Sequence, residues 1–281
     1  MITRRERLEK RLKHLRNRVV GRTGDAVPVL LFGEQRSGTN MLLDCFRRSP
    51  RTAIYNETDD DAFVAYELRD MPVIQSIVEQ AVASHVVFKP TADGNRADEI
   101  LDALPGARGV WIYRQYRDAV TSALALFRET SLEYLANVAN RSPEARWRAK
   151  NLTDVDIETI GRHLRRGISE SSARALIWYV RNSFFFRLGL DRRSDMLLVN
   201  YEDLVKDPVV EVARVFDFVG LKFEKKYADQ VFASSVGRRA APEIDVEIAG
   251  LCESLFEELA AHRQDRSLDA AERQHELTRP I

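Results

Sequence analysis

An apolar run, V-P-V-L-L-F (27–32), leads directly into G-E-Q-R-S-G-T-N (33–40) and then into a stretch whose apolar residues recur at helical spacing. Few folds accept that order. Six residues that are all apolar suit a strand covered on both faces, as in a parallel sheet. Gly33 and Gly38 frame a G-x-x-x-x-G turn, in which successive backbone N–H groups converge and the positive end of the next helix joins them. The triphosphate-binding form of this loop continues with Lys, which reaches the outer phosphates, and with Ser or Thr, whose hydroxyl holds magnesium. Here those two positions are Thr39 and Asn40, and Arg36 inside the loop carries the positive charge instead.

The strand-then-helix alternation continues. H-V-V-F-K-P (85–90) reads as a second strand, A-D-E-I-L-D-A-L (97–104) as a helix closed by Pro105-Gly106, and G-V-W-I-Y-R (109–114) as a third strand followed by a helix through 117–127. Residues 172–188 form a buried helix, D-M-L-L-V-N-Y-E-D-L (195–204) a fourth strand, and Asp207-Pro208 opens a helix to about Val219. The breakers and acids of 47–63 suggest a loop or a short strand with a following helix. This order implies an α/β protein, a three-layer fold of the P-loop NTPase type whose central, mostly parallel sheet is flanked by helices.

An amphipathic helix is expected within residues 1–24, with Leu8, Leu12, Leu15 and Val19 on one stripe. That stripe suits docking on the body, a homodimer contact or an acidic-surface anchor. The main domain is expected over 25–240 and a charged helical tail over 241–281. Within the domain, residues 130–175 are polar and helical in propensity, interrupted by Ser142-Pro143 and Gly167, and are expected to cover an acceptor pocket.

Lys and Arg total 43 and Asp and Glu total 43, so the formal net charge is zero. No global basic field argues for nucleic acid or an anionic membrane, and an anion site must be a local cluster serving a small ligand. Cys45 and Cys252 lie far apart without metal-ligand spacing and read as buried thiols. The basic start lacks an apolar signal core and no run reaches the ~18 apolar residues of a membrane helix, so a cytoplasmic protein is expected.

A second constellation, R-Q-Y-R-D-A-V-T-S (114–122), places Arg114 at the carboxyl end of a strand, the edge where open α/β sheets bind ligands. Ser122 lies two turns into the next helix, within reach of the same phosphate. Two anion sites result, one for each end of a ligand.

These motifs, in this order, resemble the family of sulfotransferases that use 3′-phosphoadenosine 5′-phosphosulfate (PAPS). The resemblance covers about residues 27–240. It implies that Arg36, Ser37, Gly38, Thr39 and Asn40 grip the 5′-phosphosulfate and that Arg114 and Ser122 bind the 3′-phosphate. S-S-V-G-R-R (234–239) is similar to the basic segment that closes on that phosphate, which adds Arg238 and Arg239. L-L-V-N-Y-E-D-L-V-K-D-P (197–208) is similar to the family's strand end before a D-P helix and reads as structural, as does W-Y-V-R-N (178–182). One departure is Gln115-Tyr116, where the family has Asn-Pro, so a proline restraint is gone.

The resemblance further implies transfer of a sulfuryl group to a hydroxyl, or secondarily an amine, of a small-molecule, carbohydrate or lipid acceptor. The expected product is adenosine 3′,5′-bisphosphate, and no metal is called for, because fixed cations and N–H groups can stabilise sulfuryl transfer. Family members take the acceptor proton with a His or a Glu after the first helix. No His lies there, and Y-N-E-T (55–58) offers Glu57, with Asp59, Asp60, Asp61, Glu67 and Asp70 as alternatives. Lys89 at its strand end is expected on the sulfuryl group or the bridging oxygen. Two other readings stay open: a magnesium-dependent nucleotide kinase or triphosphatase, and an inactive nucleotide-binding interaction module without turnover.

Overall fold

The computed structural model describes residues 24–126, 130–232 and 242–277. The amphipathic stripe at residues 8–19, and the segment with Arg238 and Arg239, lie outside the described residues. Five strands, β1 (Val27–Phe32), β2 (Thr52–Tyr55), β5 (His85–Phe88), β6 (Arg108–Tyr113) and β7 (Met196–Asn200), pair in the order β2-β5-β1-β6-β7, every pair parallel. The sequence order of these strands departs from their order in the sheet, so β1 lies at the centre with its carboxyl end between those of β5 and β6.

Covering both faces of the sheet explains why the strands read as unbroken apolar runs. Leu30 and Phe32 face one core while Val29 and Leu31 face the other. The same division separates Phe88 from Val87, Trp111 and Tyr113 from Val110 and Ile112, and Leu198 from Val199. The first core is closed by α3 (Ala97–Ala103), α4 (Tyr116–Leu124), α7 (Glu170–Arg187) and α10 (Val246–Leu277). The second is closed by α1 (Thr39–Arg48) and α9 (Pro208–Phe218), where Phe46 stacks on Phe216 at 4.8 Å.

Over the first core lie α5 (Ser131–Ala139), a 3₁₀ turn (Pro143–Ala149) and α6 (Asp154–Arg165), so residues 130–175 are largely helical. Glu170 at the start of α7 accepts from the Ser131 N–H and so fixes where α5 begins. A capping box between Thr153 and Asp156 starts α6. Phe184 and Phe185 are core residues of α7, and both cysteines are buried thiols. Burial pushes the Cys45 thiol up to about 12 and raises that of Cys252 as well. Among the described residues, no helix is long and apolar enough to cross a membrane.

Three local features differ from the sequence reading. The fourth strand stops at Asn200, because the Asn200 side chain accepts the Asp203 N–H at 2.9 Å and starts α8 (Tyr201–Lys206); Y-E-D-L is helical. Downstream of 47–63 no helix follows at once. A two-stranded hairpin, β3 (Phe63–Val64) and β4 (Glu67–Leu68), comes first. Then α2 (Met71–Glu79) buries only Ile74 fully, too little apolar periodicity to be read from sequence.

His85 begins β5 as a neutral imidazole. Its Nε2 donates to the Val219 carbonyl at 2.9 Å, its Nδ1 accepts from Ser84 Oγ at 2.9 Å, and burial lowers its pKa below the ordinary 6.5. The unfolded chain therefore binds a proton that the folded chain refuses, so this contribution is present above pH 6.5 and is lost as pH falls below it. The free energy of unfolding should drop below pH 6.5 with a slope that His85→Gln reduces, read from urea melts across the pH range.

Candidate active site

The site begins where β1 ends. Gly33 adopts φ +134°, and a Cβ there would lie 2.2 Å from the Ile112 carbonyl oxygen on β6. Gly38 adopts φ +101° at the N-cap of α1, and a Cβ there would come within 2.5 Å of the Tyr201 ring. The loop is thus pressed between neighbouring backbone and an aromatic ring, and only glycine allows both the angles and the approach. Gly33→Ala should cost about 1–3 kcal/mol of stability, measured as a shift in the urea midpoint with unchanged slope.

Between these glycines, Ser37 is fully buried and its Oγ meets no hydrogen-bond partner among the described residues. Buried hydroxyls are ordinarily hydrogen-bonded to protein, water or a ligand. Arg36 has left-handed backbone at φ +71° and donates from Nε to Ser122 Oγ at 3.1 Å. Burial, and then the neighbouring Arg114, lower its pKa. Thr39 is buried and Asn40 exposed on the first turn of α1.

Arg114 leaves the end of β6 and is only 3% exposed. Its guanidinium lies over the Tyr201 ring at 4.3 Å, faces Asp118 at 3.7 Å and donates to the Arg36 carbonyl at 3.3 Å. The missing proline is replaced by hydrogen bonds: Gln115 donates its N–H to Glu202 and its side chain accepts from the Arg117 N–H, capping α4. Tyr201 and Glu202, read from sequence only as part of a structural segment, therefore position Arg114 and its turn. The loop and the 114–122 segment also meet, since Arg36 touches both Ser122 and Arg114.

Lys89 and Glu57 come together from adjacent strands. Tyr55 at the end of β2 pairs with Phe88 at the end of β5, and one or two residues further on, the Lys89 ammonium donates to Glu57 Oε1. Burial lowers the pKa of Lys89 while Glu57 opposes the shift. Glu57 sits on a turn fixed by Asn56, whose side chain accepts from the Thr58 N–H at 2.9 Å. Its second oxygen, Oε2, is buried and without a hydrogen-bond partner among the described residues.

A cavity of about 660 Å³ joins the loop to Glu57 and Lys89. Asp59, Asp60, Asp61, Glu67 and Asp70 do not line it; Asp59 instead anchors its turn through backbone bonds to Ala62 and Phe63. Among the lining residues that escaped the sequence reading are Glu34, Arg174 and Arg181. Glu34 in the loop is bracketed by two arginines of α7, Arg174 at 2.6 Å and Arg181 at 3.5 Å. Arg181 also donates to the carbonyls of Thr91 and Ala92. Within W-Y-V-R-N, then, Trp178, Val180 and Asn182 are core, but Arg181 is cavity wall. The available signal was two arginines seven apart in an otherwise apolar helix, which puts both on one face.

Comparison with known proteins agrees with this architecture. A family model described as a sulfotransferase domain matches residues 27–236. The chain belongs to the sulfotransferase family. Among solved structures, a sulfotransferase domain from the curacin biosynthetic pathway superposes with a TM-score of 0.51 at 10% identity, covering 83% of this chain and 99% of that one. A sulfotransferase from Alicyclobacillus acidocaldarius gives 0.47 at 15% identity, covering 84% and 94%. A mouse sulfotransferase complexed with PAP gives 0.41 at 14%, covering 85% and 77%. No curated protein matches the sequence. The sulfotransferase shares with the curacin domain a fold, and the parallel sheet places the residues above at its carboxyl edge.

Proposed function

We propose that this sulfotransferase moves a sulfuryl group from PAPS to a hydroxyl of a small acceptor. The observation that carries the reading is the buried Ser37 Oγ, without a hydrogen-bond partner among the described residues, in a loop that holds Arg36 and meets Arg114. Loop N–H groups, Ser37, Thr39 and Asn40 would hold the phosphosulfate end; Arg114 and Ser122 would hold the 3′-phosphate. Arg238 and Arg239 are proposed beside that phosphate from their motif alone. The solved mouse relative carries PAP, in keeping with this donor.

The nucleotide supplies the sulfuryl group, whose bond to the 5′-phosphate oxygen breaks as the bond to the acceptor oxygen forms. Glu57 accepts the acceptor proton on Oε2, the oxygen that Lys89 leaves unused. Lys89 and Arg36 offset negative charge on the departing phosphate oxygen, in a site already shaped before the reaction. The cover formed by 130–175 keeps water from the cavity; Thr130, Ser131 and Tyr134 line it. Neither side chain following Gly38 is the lysine of a triphosphatase loop, which is why Arg36 carries the charge.

The test is turnover of labelled PAPS over a panel of hydroxyl acceptors, with calorimetry of adenosine 3′,5′-bisphosphate. Binding of the bisphosphate and turnover unaffected by EDTA are expected. Magnesium-dependent ATP binding in its place would identify a kinase or triphosphatase, and bisphosphate binding without any turnover an inactive module.

A further inference from the structure

One helix, α7, holds the chain segments that leave β1, β5 and β6 with Arg36, Lys89 and Arg114. Beside β6, the Trp178 indole donates to the Arg114 carbonyl at 3.1 Å, and Asn182 accepts from the Trp111 indole at 3.3 Å. Beside β1, the Arg174 guanidinium pairs with Glu34 at 2.6 Å. Beside β5, Arg181 Nη2 donates to the Thr91 and Ala92 carbonyls at 2.7 and 3.0 Å, while its Nε faces Glu34 at 3.5 Å. Glu34, Arg174 and Arg181 are all buried.

These contacts bear on the backbone of two loops. The Glu34 carbonyl accepts the Ser37 N–H at 3.2 Å, closing the turn in which Arg36 holds its left-handed backbone. Such backbone persists at a non-glycine residue where its surroundings enforce it, and the pairing of Glu34 with α7 is a constraint of that kind. Lys89 is fixed from both sides. Its N–H donates to the Tyr55 carbonyl at 3.0 Å, and past Pro90 the next two carbonyls are those that Arg181 grips. Neutralising a buried carboxylate needs only a cation, which a lysine could provide. Reaching two carbonyls and a carboxylate from one side chain takes the planar fork of a guanidinium. The shorter contacts go to Thr91 and Ala92 and the longer one to Glu34, so Arg181 serves chiefly the segment after β5.

Resting on the reading of Lys89 as a cation at the departing phosphate oxygen, we propose that Arg181 is a positioning residue for sulfuryl transfer. It acts through Lys89: its grip on Thr91 and Ala92 sets where the ammonium stands relative to Arg36 and Glu57. A misplacement of about 1 Å at such a group is worth about 10²-fold in rate.

The test is a double-mutant cycle of Arg181→Gln and Lys89→Gln on single-turnover transfer from PAPS to 2-naphthol. Arg181→Gln alone should slow transfer by about 10²-fold. Its affinity for adenosine 3′,5′-bisphosphate, read by calorimetry, should stay within about threefold of wild type. With Lys89→Gln already in place, Arg181→Gln should cost about threefold or less, because a residue that acts through Lys89 then has nothing to position. A merely structural contribution would slow both backgrounds alike, and that outcome overturns the proposal. A loss of bisphosphate affinity as large as the loss of rate overturns it too. Arg181→Lys, which keeps a charge beside Glu34 without the fork, takes the place of the glutamine variant if that variant does not fold. A second readout needs no turnover. Hydrogen exchange of the Lys89 and Asp93 amides, which bond to the Tyr55 and Pro90 carbonyls, should rise about tenfold in Arg181→Gln while that of Leu30 in β1 does not. Unchanged exchange at both amides overturns the proposal even in a protein that transfers nothing to 2-naphthol. The donor reading is judged apart, by bisphosphate binding to the wild-type chain.

Discussion

With Glu57 replaced by glutamine, turnover should fall by about 10²- to 10⁴-fold while affinity for adenosine 3′,5′-bisphosphate stays nearly unchanged. Glutamine keeps the shape of the side chain and can still accept from Lys89 through its carbonyl oxygen. What it loses is the basic Oε2, the atom buried at the cavity without a partner in the described structure. Lys89 would then face a neutral group while only 3% exposed, which should lower stability by about 1–3 kcal/mol. A thermal melt separates that loss from the kinetic one, because the melt moves without altering the chemical step of the protein that remains folded. Single-turnover measurement with bound PAPS isolates the step itself. A variant that keeps wild-type single-turnover rates would remove Glu57 as the base.

Arg114→Ala should weaken binding of the bisphosphate by about 10²- to 10³-fold, the loss expected for about two charge-assisted hydrogen bonds to a phosphate. The preorganisation is specific. The guanidinium is seated on Tyr201, and its backbone turn is held by Glu202 and Gln115. Arg114→Lys should recover little, since an ammonium has no planar fork to lay on the ring or to bridge two phosphate oxygens. Adenosine 5′-monophosphate, which lacks the 3′-phosphate, supplies the control: its affinity should barely respond to Arg114→Ala. Equal losses for both nucleotides would place Arg114 elsewhere than at the 3′-phosphate.

Much of the sheet was legible because β1, β5 and β6 are buried on two faces and are short apolar runs ended by Gly or a charged residue. V-P-V-L-L-F and H-V-V-F match β1 and β5, and G-V-W-I-Y falls within β6. The meeting of Lys89 with Glu57 was half legible. Lys89 was named from its place at a strand end and Glu57 from the family resemblance, but that β2 and β5 are neighbours in register depends on long-range pairing that no local pattern encodes. Glu34 was missed because a buried carboxylate in an anion-binding loop makes sense only once Arg174 and Arg181 are seen beside it, 140 residues on in the first case. The β3–β4 hairpin was missed for a different reason. Its turn residues, Ala65 and Tyr66, carry none of the Gly, Asn or Asp signals that ordinarily mark left-handed backbone.

One contact behind the site gives the molecule an optical property. The buried indole of Trp178 donates its N–H to the main-chain carbonyl of Arg114, at 3.1 Å. Indole emission responds to the field and hydrogen bonding at that nitrogen, and here the nitrogen is attached to the residue assigned to the 3′-phosphate. Nucleotide capture should therefore register as a change in intrinsic fluorescence that vanishes in Trp178→Phe, a label-free titration signal already present in the chain.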